Sequence, residues 1–227
     1  MVLADDNFAS IAAAVRECRT VYDNLRKTIV WELPANGGES LMVVTAILFG
    51  LALPMTAVQI LWINMVTTVA LGLTLAFEPG EPQVMRRPPR PAAEPLLSAF
   101  LVWRVVLVSL LFMAGAFGMF AWARARGLPL EEARTLVVNT IVVLEIFYLF
   151  SVRYQHGHSL TWRGVVGTPA VLIGVGAVIL LQLAFTYAPV LQGLFDTRPV
   201  RFRDGAAIVG LGILLLVILE VEKLARR

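Results

Sequence analysis

The sequence predicts an all-α fold: a polytopic membrane bundle of six transmembrane helices behind an N-terminal cytoplasmic stalk helix. Three observations lead there. Of the 227 residues 58% are hydrophobic, and the mean hydropathy is +0.77. The apolar residues fall in blocks of the ~20 residues needed to cross a hydrocarbon core. Only polar connections separate the blocks, and none is long enough to fold as a soluble domain.

The opening "MVLADDNFAS" is acidic with no apolar core directly behind it, so it does not read as a signal peptide. Residues 8–25 predict a helix outside the membrane. Phe8, Ile11, Val15, Cys18, Tyr22 and Leu25 recur at spacings of three and four and make one apolar stripe. Arg16, Glu17, Arg19, Asp23, Asn24 and Arg26 occupy the other faces, and Asp5, Asp6 or Asn7 can cap the start. Six spans follow, at roughly 28–50, 57–76, 97–122, 134–152, 169–188 and 205–223. "GLALPMTA" permits only a tight hairpin between the first two. "EPGEPQVMRRPPRPAAEP", between the second and third, is an extended polar loop. The expected division is a stalk at 1–27 and a six-helix transmembrane domain at 28–227, with the stalk helix continuous, or nearly so, with the first span.

Basic residues set the orientation. Arg16, Arg19, Arg26, Lys27, Arg86, Arg87, Arg90, Arg153, Arg163, Lys223, Arg226 and Arg227 fall on one side. Arg124, Arg126, Arg134, Arg198, Arg201 and Arg203 fall on the other. The richer side is the cytoplasm, so both termini are expected there, in a bacterial cell membrane. The net charge of +3 is not gathered on any soluble domain, which argues against a nucleic-acid partner. Cys18 is the single cysteine, so neither an internal disulfide nor a cysteine metal site is available. His156 and His158 alone do not complete a metal site, and a surface loop is the expectation for them.

The first two spans carry residues that are costly in lipid. In "WELPANGGES", Asn36 and Glu39 are three apart and share a helix face. Pro34 deprives the Val30 carbonyl of its usual donor, and Gly37 and Gly38 allow a neighbouring backbone to come close. A carboxylate, an amide oxygen and a freed carbonyl suit Ca²⁺, Na⁺ or Mg²⁺. The same residues also suit a kinked helix bonded only to its neighbours. In the second span Asn64, Thr67 and Thr68 share a face, as cation ligands or as interhelical glue. Glu145 lies deep in the fourth span, as a protonated spacer, a hydrogen-bond partner or a third contribution to the same site. Glu32 is expected to reach the interface, and Gln182 to join helices.

Four segments in order resemble one family. "VLADDNFASIAAAVRECRTVYDNLRK" is similar to the segment leading into the fifth membrane helix of P-type cation-transporting ATPases, in their calcium-pump-like branch. "NGGES" resembles that family's Asn-x-Gly-Glu cation motif, "LWINMVTT…AFEP" its sixth helix, and "VMRRPPR…EPLLS" the loop beyond. The resemblance covers essentially the whole chain. It implies that the six spans correspond to the family's fifth to tenth helices. It also implies cation-ligand roles for Asn36, Glu39, Asn64, Thr67 and Glu145, with Thr68 beside them.

This chain departs from the pattern in two places. Calcium pumps carry an aspartate where Thr68 stands, which weakens the case for two Ca²⁺ ions and favours one Ca²⁺, Na⁺ or another small cation. Pro34 and Ala35 also replace a Ser-Asn pair. The phosphorylation motif, the nucleotide-binding domain, the hinge motif and four further helices are expected on a missing N-terminal half. The chain therefore reads as a fragment, a truncated frame or one piece of a split pump. ATP and Mg²⁺ would act only through that half, and this chain alone is expected not to hydrolyse ATP. The implied function is the C-terminal membrane part of an ATP-driven cation pump in contact with lipid. The alternative is a free-standing six-helix protein with a packing or assembly role.

Overall fold

α1 runs without a break from Phe8 to Leu48, 41 residues in all. The computed structural model describes residues 7–80, 84–89, 98–153 and 168–225, and they contain no strand. His156 and His158 lie outside them. Asn7 caps α1, its side chain accepting from the Ala9 N–H at 2.9 Å. The expected border between stalk and first span is crossed in regular helix. The stretch Leu25–Thr28 contains no glycine or proline, and leucine, arginine and lysine are good helix formers. At 1.5 Å per residue α1 is ~60 Å long, about twice the hydrocarbon thickness.

Pro34 sits inside α1 without ending it. Its ring removes the donor for the Val30 carbonyl. The Tyr148 hydroxyl replaces that donor, reaching Val30 O at 3.0 Å. The Ser109 hydroxyl donates to Pro34 O at 3.2 Å. Neighbouring helices thus satisfy the backbone at the weak point, as an apolar surrounding requires.

α2 (Ala57–Ala76) opens with a capping box between Thr56 and Gln59. It is α-helical to Thr67, makes a π turn over Thr68–Gly72, and resumes over Leu73–Ala76. The hairpin before it begins at Gly50, whose φ of 61° favours glycine. α3 spans Ala99–Ala125 with Ser98 as its cap, and a short turn at Gly127 leads to α4, Leu130–Arg153. α5 (Pro169–Tyr187) is followed by a short α6 (Pro189–Phe195), which the sequence pattern did not predict, and by α7 (Phe202–Ala225). Pro189 starts α6 because its missing N–H costs nothing in a first turn.

Helices α2, α3, α4, α5 and α7 are long and apolar enough to cross a membrane. α1 falls short of that measure because Glu32, Pro34, Asn36, Gly37, Gly38, Glu39 and Ser40 interrupt its apolar run. α4 is the central element: 72% of its apolar window is buried, against 33% for α3, α5 and α7. Leu136, Val137, Ile141, Tyr148 and Leu149 fill the middle of the bundle. The outer faces stay apolar, with Ile173 and Leu180 on α5 and Ile213 and Val217 on α7 all exposed.

α1 packs chiefly on α3, and also touches α2 and α4. Gly37 faces the Ser109 side chain, and Gly38 faces Phe112 Cβ and the Ser109 carbonyl. A Cβ at Gly38 has no room, and overpacking of this kind costs about 1–3 kcal/mol. Gly38→Val is therefore expected to lower the melting temperature in detergent. Gly118→Val, with nothing within 4 Å of its added Cβ, is expected to leave it unchanged.

At one end of the bundle three elements meet. Asn24 Nδ2 donates to Ala76 O at 3.2 Å and Glu78 O at 2.7 Å. Arg153, the last residue of α4, forms a buried ion pair with Glu78 at 2.6 Å. Asn24 is thus level with the ends of α2 and α4, and residues 8–23 of α1 extend past them. The connection after α2 follows that extension. Arg19 donates to Val84 O and Arg87 O at 2.9 and 2.8 Å, and Arg87 pairs with Asp23 at 2.7 Å.

Candidate cation site between α1, α2 and α4

Asn36 and Glu39 follow Pro34 by two and five residues, on the side of α1 that faces α2. Asn64 Nδ2 donates to Glu39 Oε2 at 2.9 Å and to Ile60 O at 3.1 Å. Both of its amide hydrogens are thereby committed, and its carbonyl oxygen remains an acceptor. Asn36, Glu39 and Asn64 line an open cleft of about 400 Å³ between α1 and α2, together with Ser40, Val43, Val44 and Ile60. Glu39 is only 4% exposed, and its second oxygen, Oε1, is buried with no hydrogen-bond partner.

Glu145 approaches from α4. It is 2% exposed, and its Oε2 is likewise buried without a partner. Thr67 interacts with its carboxyl group, and Glu39 and Glu32 lie within its electrostatic field. The Thr67 hydroxyl also donates to Ile63 O at 2.8 Å, leaving its lone pairs for other contacts. Trp31 Nε1 donates to the Glu145 backbone carbonyl at 3.1 Å and fixes α4 against α1 at this level.

Five of the residues singled out in the sequence thus fall in two neighbouring groups, Asn36, Glu39 and Asn64 along the cleft and Thr67 with Glu145 within the electrostatic reach of Glu39. Thr68 turns aside and donates to Glu32 Oε1 at 3.0 Å. The Val30 carbonyl accepts from Tyr148, and Val30 is not among the residues that line the cleft. Glu32 is half-buried and bonded to α2, not merely reaching toward an interface. Its spacing from Asn36 (four) and Glu39 (seven) places all three on one helix face, and that register was the available signal. Gln182 joins helices as expected, accepting from Trp62 Nε1 at 3.2 Å.

The donor set is oxygen only: carboxylates, amide carbonyls and hydroxyls. Among the described residues no group of three or more His, Cys, Asp or Glu side chains is placed to hold a metal ion, so Glu39 and Glu145 would have to act with neutral oxygens. Oxygen donors of mixed charge suit Ca²⁺, Na⁺ and similar hard cations. Two unsatisfied carboxylate oxygens at this depth are a large cost unless a cation or proton offsets it.

Carboxylates buried within an apolar helical bundle mark a functional site, ion pathways among the uses. The profile described as "Cation transporting ATPase, C-terminus" matches residues 52–225. The chain belongs to this family and is a multi-pass integral membrane protein. It is similar to "Probable cation-transporting ATPase F" of Mycobacterium tuberculosis, at 46% identity over 231 residues, covering 100% of this chain and 25% of the relative. It is 41% identical over 212 residues to "Cation-transporting ATPase pma1" of Synechocystis, covering 91% of this chain and 23% of the relative. It is 32% identical over 228 residues to a "Calcium-transporting ATPase" of Bacillus subtilis, covering 100% and 25%. The chain thus spans about a quarter of the length of these relatives.

Proposed function

We propose that the chain supplies the cation-coordinating membrane helices of an ATP-driven cation pump, with Ca²⁺ or another small cation as cargo. The observation that carries this reading is the pair of buried, unpartnered oxygens, Glu39 Oε1 and Glu145 Oε2, beside Asn36, Asn64 and Thr67. Glu39 and Glu145 supply charge, and the neutral oxygens complete the shell. The relatives named for cation and calcium transport support the same cargo class.

α1 serves as both the stalk and the first of six spans in this reading. Residues 24–48 measure ~37 Å along the axis, enough to cross a membrane. Residues 8–23 project beyond, as the cytoplasmic stalk of a 1–27 segment joined to the 28–227 transmembrane domain. Both termini lie in the cytoplasm, and the apolar outer faces meet lipid. Phe8, Val15, Cys18 and Leu25 are exposed on α1 and would dock on a phosphorylation domain. That domain, the nucleotide domain with its ATP and Mg²⁺, and the first membrane helices belong to the remaining length seen in the relatives.

The test is cation-dependent phosphoenzyme formation by the intact pump. A response saturable in one cation supports the reading, and its absence with Ca²⁺, Mn²⁺, Na⁺ and K⁺ would contradict it. The purified 227-residue chain is expected to hydrolyse no ATP, since its sequence holds no aspartyl-phosphate motif. Vanadate-sensitive hydrolysis by that chain would refute this expectation.

A packing role is the second reading. The bonds from Tyr148 to Val30 O and from Ser109 to Pro34 O favour it, because both fill the proline break with protein donors. Neither bond reaches Glu39 Oε1 or Glu145 Oε2, which is why the cation reading stands first.

A further inference from the structure

Two reciprocal bonds cross between α1 and α4. Trp31 Nε1, on α1, donates to the Glu145 backbone carbonyl on α4 at 3.1 Å. The Tyr148 hydroxyl, on α4, donates to the Val30 carbonyl on α1 at 3.0 Å. Val30 directly precedes Trp31, and Tyr148 lies three residues after Glu145, so the bonds form one clamp. Pro34 frees Val30 O for this use by withholding its own N–H. Trp31 and Tyr148 are both fully buried. From α3, buried Arg104 interacts with the Tyr148 hydroxyl and donates to Ser151 Oγ at 2.9 Å. Phe112 of α3 packs edge-on against the Tyr148 ring, with centroids 6.1 Å apart.

α1 and α4 run antiparallel. Arg153, at the end of α4, is level with Asn24 of α1, and Arg134, near its start, donates to Leu53 O past the end of α1. Helical side chains lean toward the N-terminus of their own helix, so Glu39 and Glu145 lean toward each other from opposite directions. We propose that Tyr148 is a positioning residue of the cation site, its bond to Val30 O setting how far Glu145 reaches toward Glu39. Tyr148 does not line the cleft, and it acts through Glu145 one turn away. Without its bond, α4 is free to turn about the remaining Trp31 contact. A ligand oxygen must sit within ~2.3–2.6 Å of a Ca²⁺ ion, so a small shift of Glu145 costs affinity.

The inference rests on the cation-pump reading, and the variants separate the two. The intact pump is titrated with Ca²⁺, Mn²⁺, Na⁺ and K⁺, reading cation-dependent phosphoenzyme formation, and each variant is melted in detergent. Tyr148→Phe keeps the ring and removes the donor. It is expected to raise the half-saturating cation concentration about tenfold, the size of one lost buried hydrogen bond, with the maximal phosphoenzyme level near native. Ser109→Ala removes the other donor at the proline break, on Pro34 O. It is expected to lower the melting temperature and leave the half-saturating concentration unchanged, because its bond joins α1 to α3 and does not hold Glu145. A native half-saturating concentration in Tyr148→Phe overturns the inference and leaves the pump reading intact. An equal rise in Ser109→Ala also overturns it, since the proline break and not Glu145 then governs affinity. Should Tyr148→Phe fail to fold, Trp31→Phe opens the clamp from the other side, where the Glu145 carbonyl keeps its own helical donor. A rise of similar size there supports the inference, and a native value overturns it. Glu39→Gln reports on the pump reading separately: if it responds normally, that reading falls and this inference with it.

Discussion

Glu39→Gln is expected to lower the cation affinity of the intact pump ~100-fold or more, which at working concentrations abolishes phosphoenzyme formation. The substitution keeps the shape and removes the charge. Asn64 Nδ2 now donates to Oε2 and can still donate to the Gln oxygen, so the α1–α2 rung survives. What is lost is the anionic Oε1, buried and unpartnered, that opposes the cation. Removing one partner from a buried ionic pair costs about 3–5 kcal/mol, and each 1.4 kcal/mol is a factor of ten in affinity. Amide and hydroxyl dipoles compensate poorly for a missing charge at such depth. Thr68→Ala is expected to do far less, because Thr68 bonds Glu32 and not the inner oxygens. The check is a cation titration of each variant beside a melting curve that confirms the fold.

The largest expected effect on stability lies at the bundle end. Arg153→Met leaves Glu78 as a buried charge, with side-chain exposures of 2% and 8% for the two partners in the native pair. Breaking such a pair from one side costs about 3–5 kcal/mol. Replacing both ends, Arg153→Met with Glu78→Met, is expected to recover most of that loss, since no charge remains to be buried. Thermal unfolding in detergent measures both. The same pair holds the end of α4 to the turn after α2, which Asn24 in turn bonds to α1. Loosening it is therefore also expected to expose the Arg19 contacts with Val84 and Arg87 to faster hydrogen exchange.

Helical class and the approximate limits of the five apolar helices were legible because their signal is composition along the chain. The expected 57–76 and the observed Ala57–Ala76 coincide, since Thr56 and Gln59 mark the start and the polar loop marks the end. The continuity of α1 was legible too, because Leu25–Thr28 holds no glycine or proline to break a helix, and the helix runs unbroken from Phe8 to Leu48. α6 was missed because seven residues hold too few turns for a periodic pattern. At the candidate site, sequence spacing grouped Asn36 with Glu39 and Asn64 with Thr67, since each pair shares one helix. It could not foresee that Tyr148 takes the Val30 carbonyl, or that Thr68 turns to Glu32. Both depend on how separate helices are rotated against one another, and the π turn at Thr68 changes that rotation locally.

The most direct test is the position of a heavy cation in a structure of the intact pump. Crystals or grids are prepared with Sr²⁺ as a stand-in for divalent cargo and Tl⁺ for monovalent cargo. The account predicts a cation peak within ligand distance of Glu39 Oε1, with Asn36, Asn64, Thr67 or Glu145 completing its shell. A peak elsewhere in the membrane domain, with Glu39 Oε1 bonded only to protein, would contradict it.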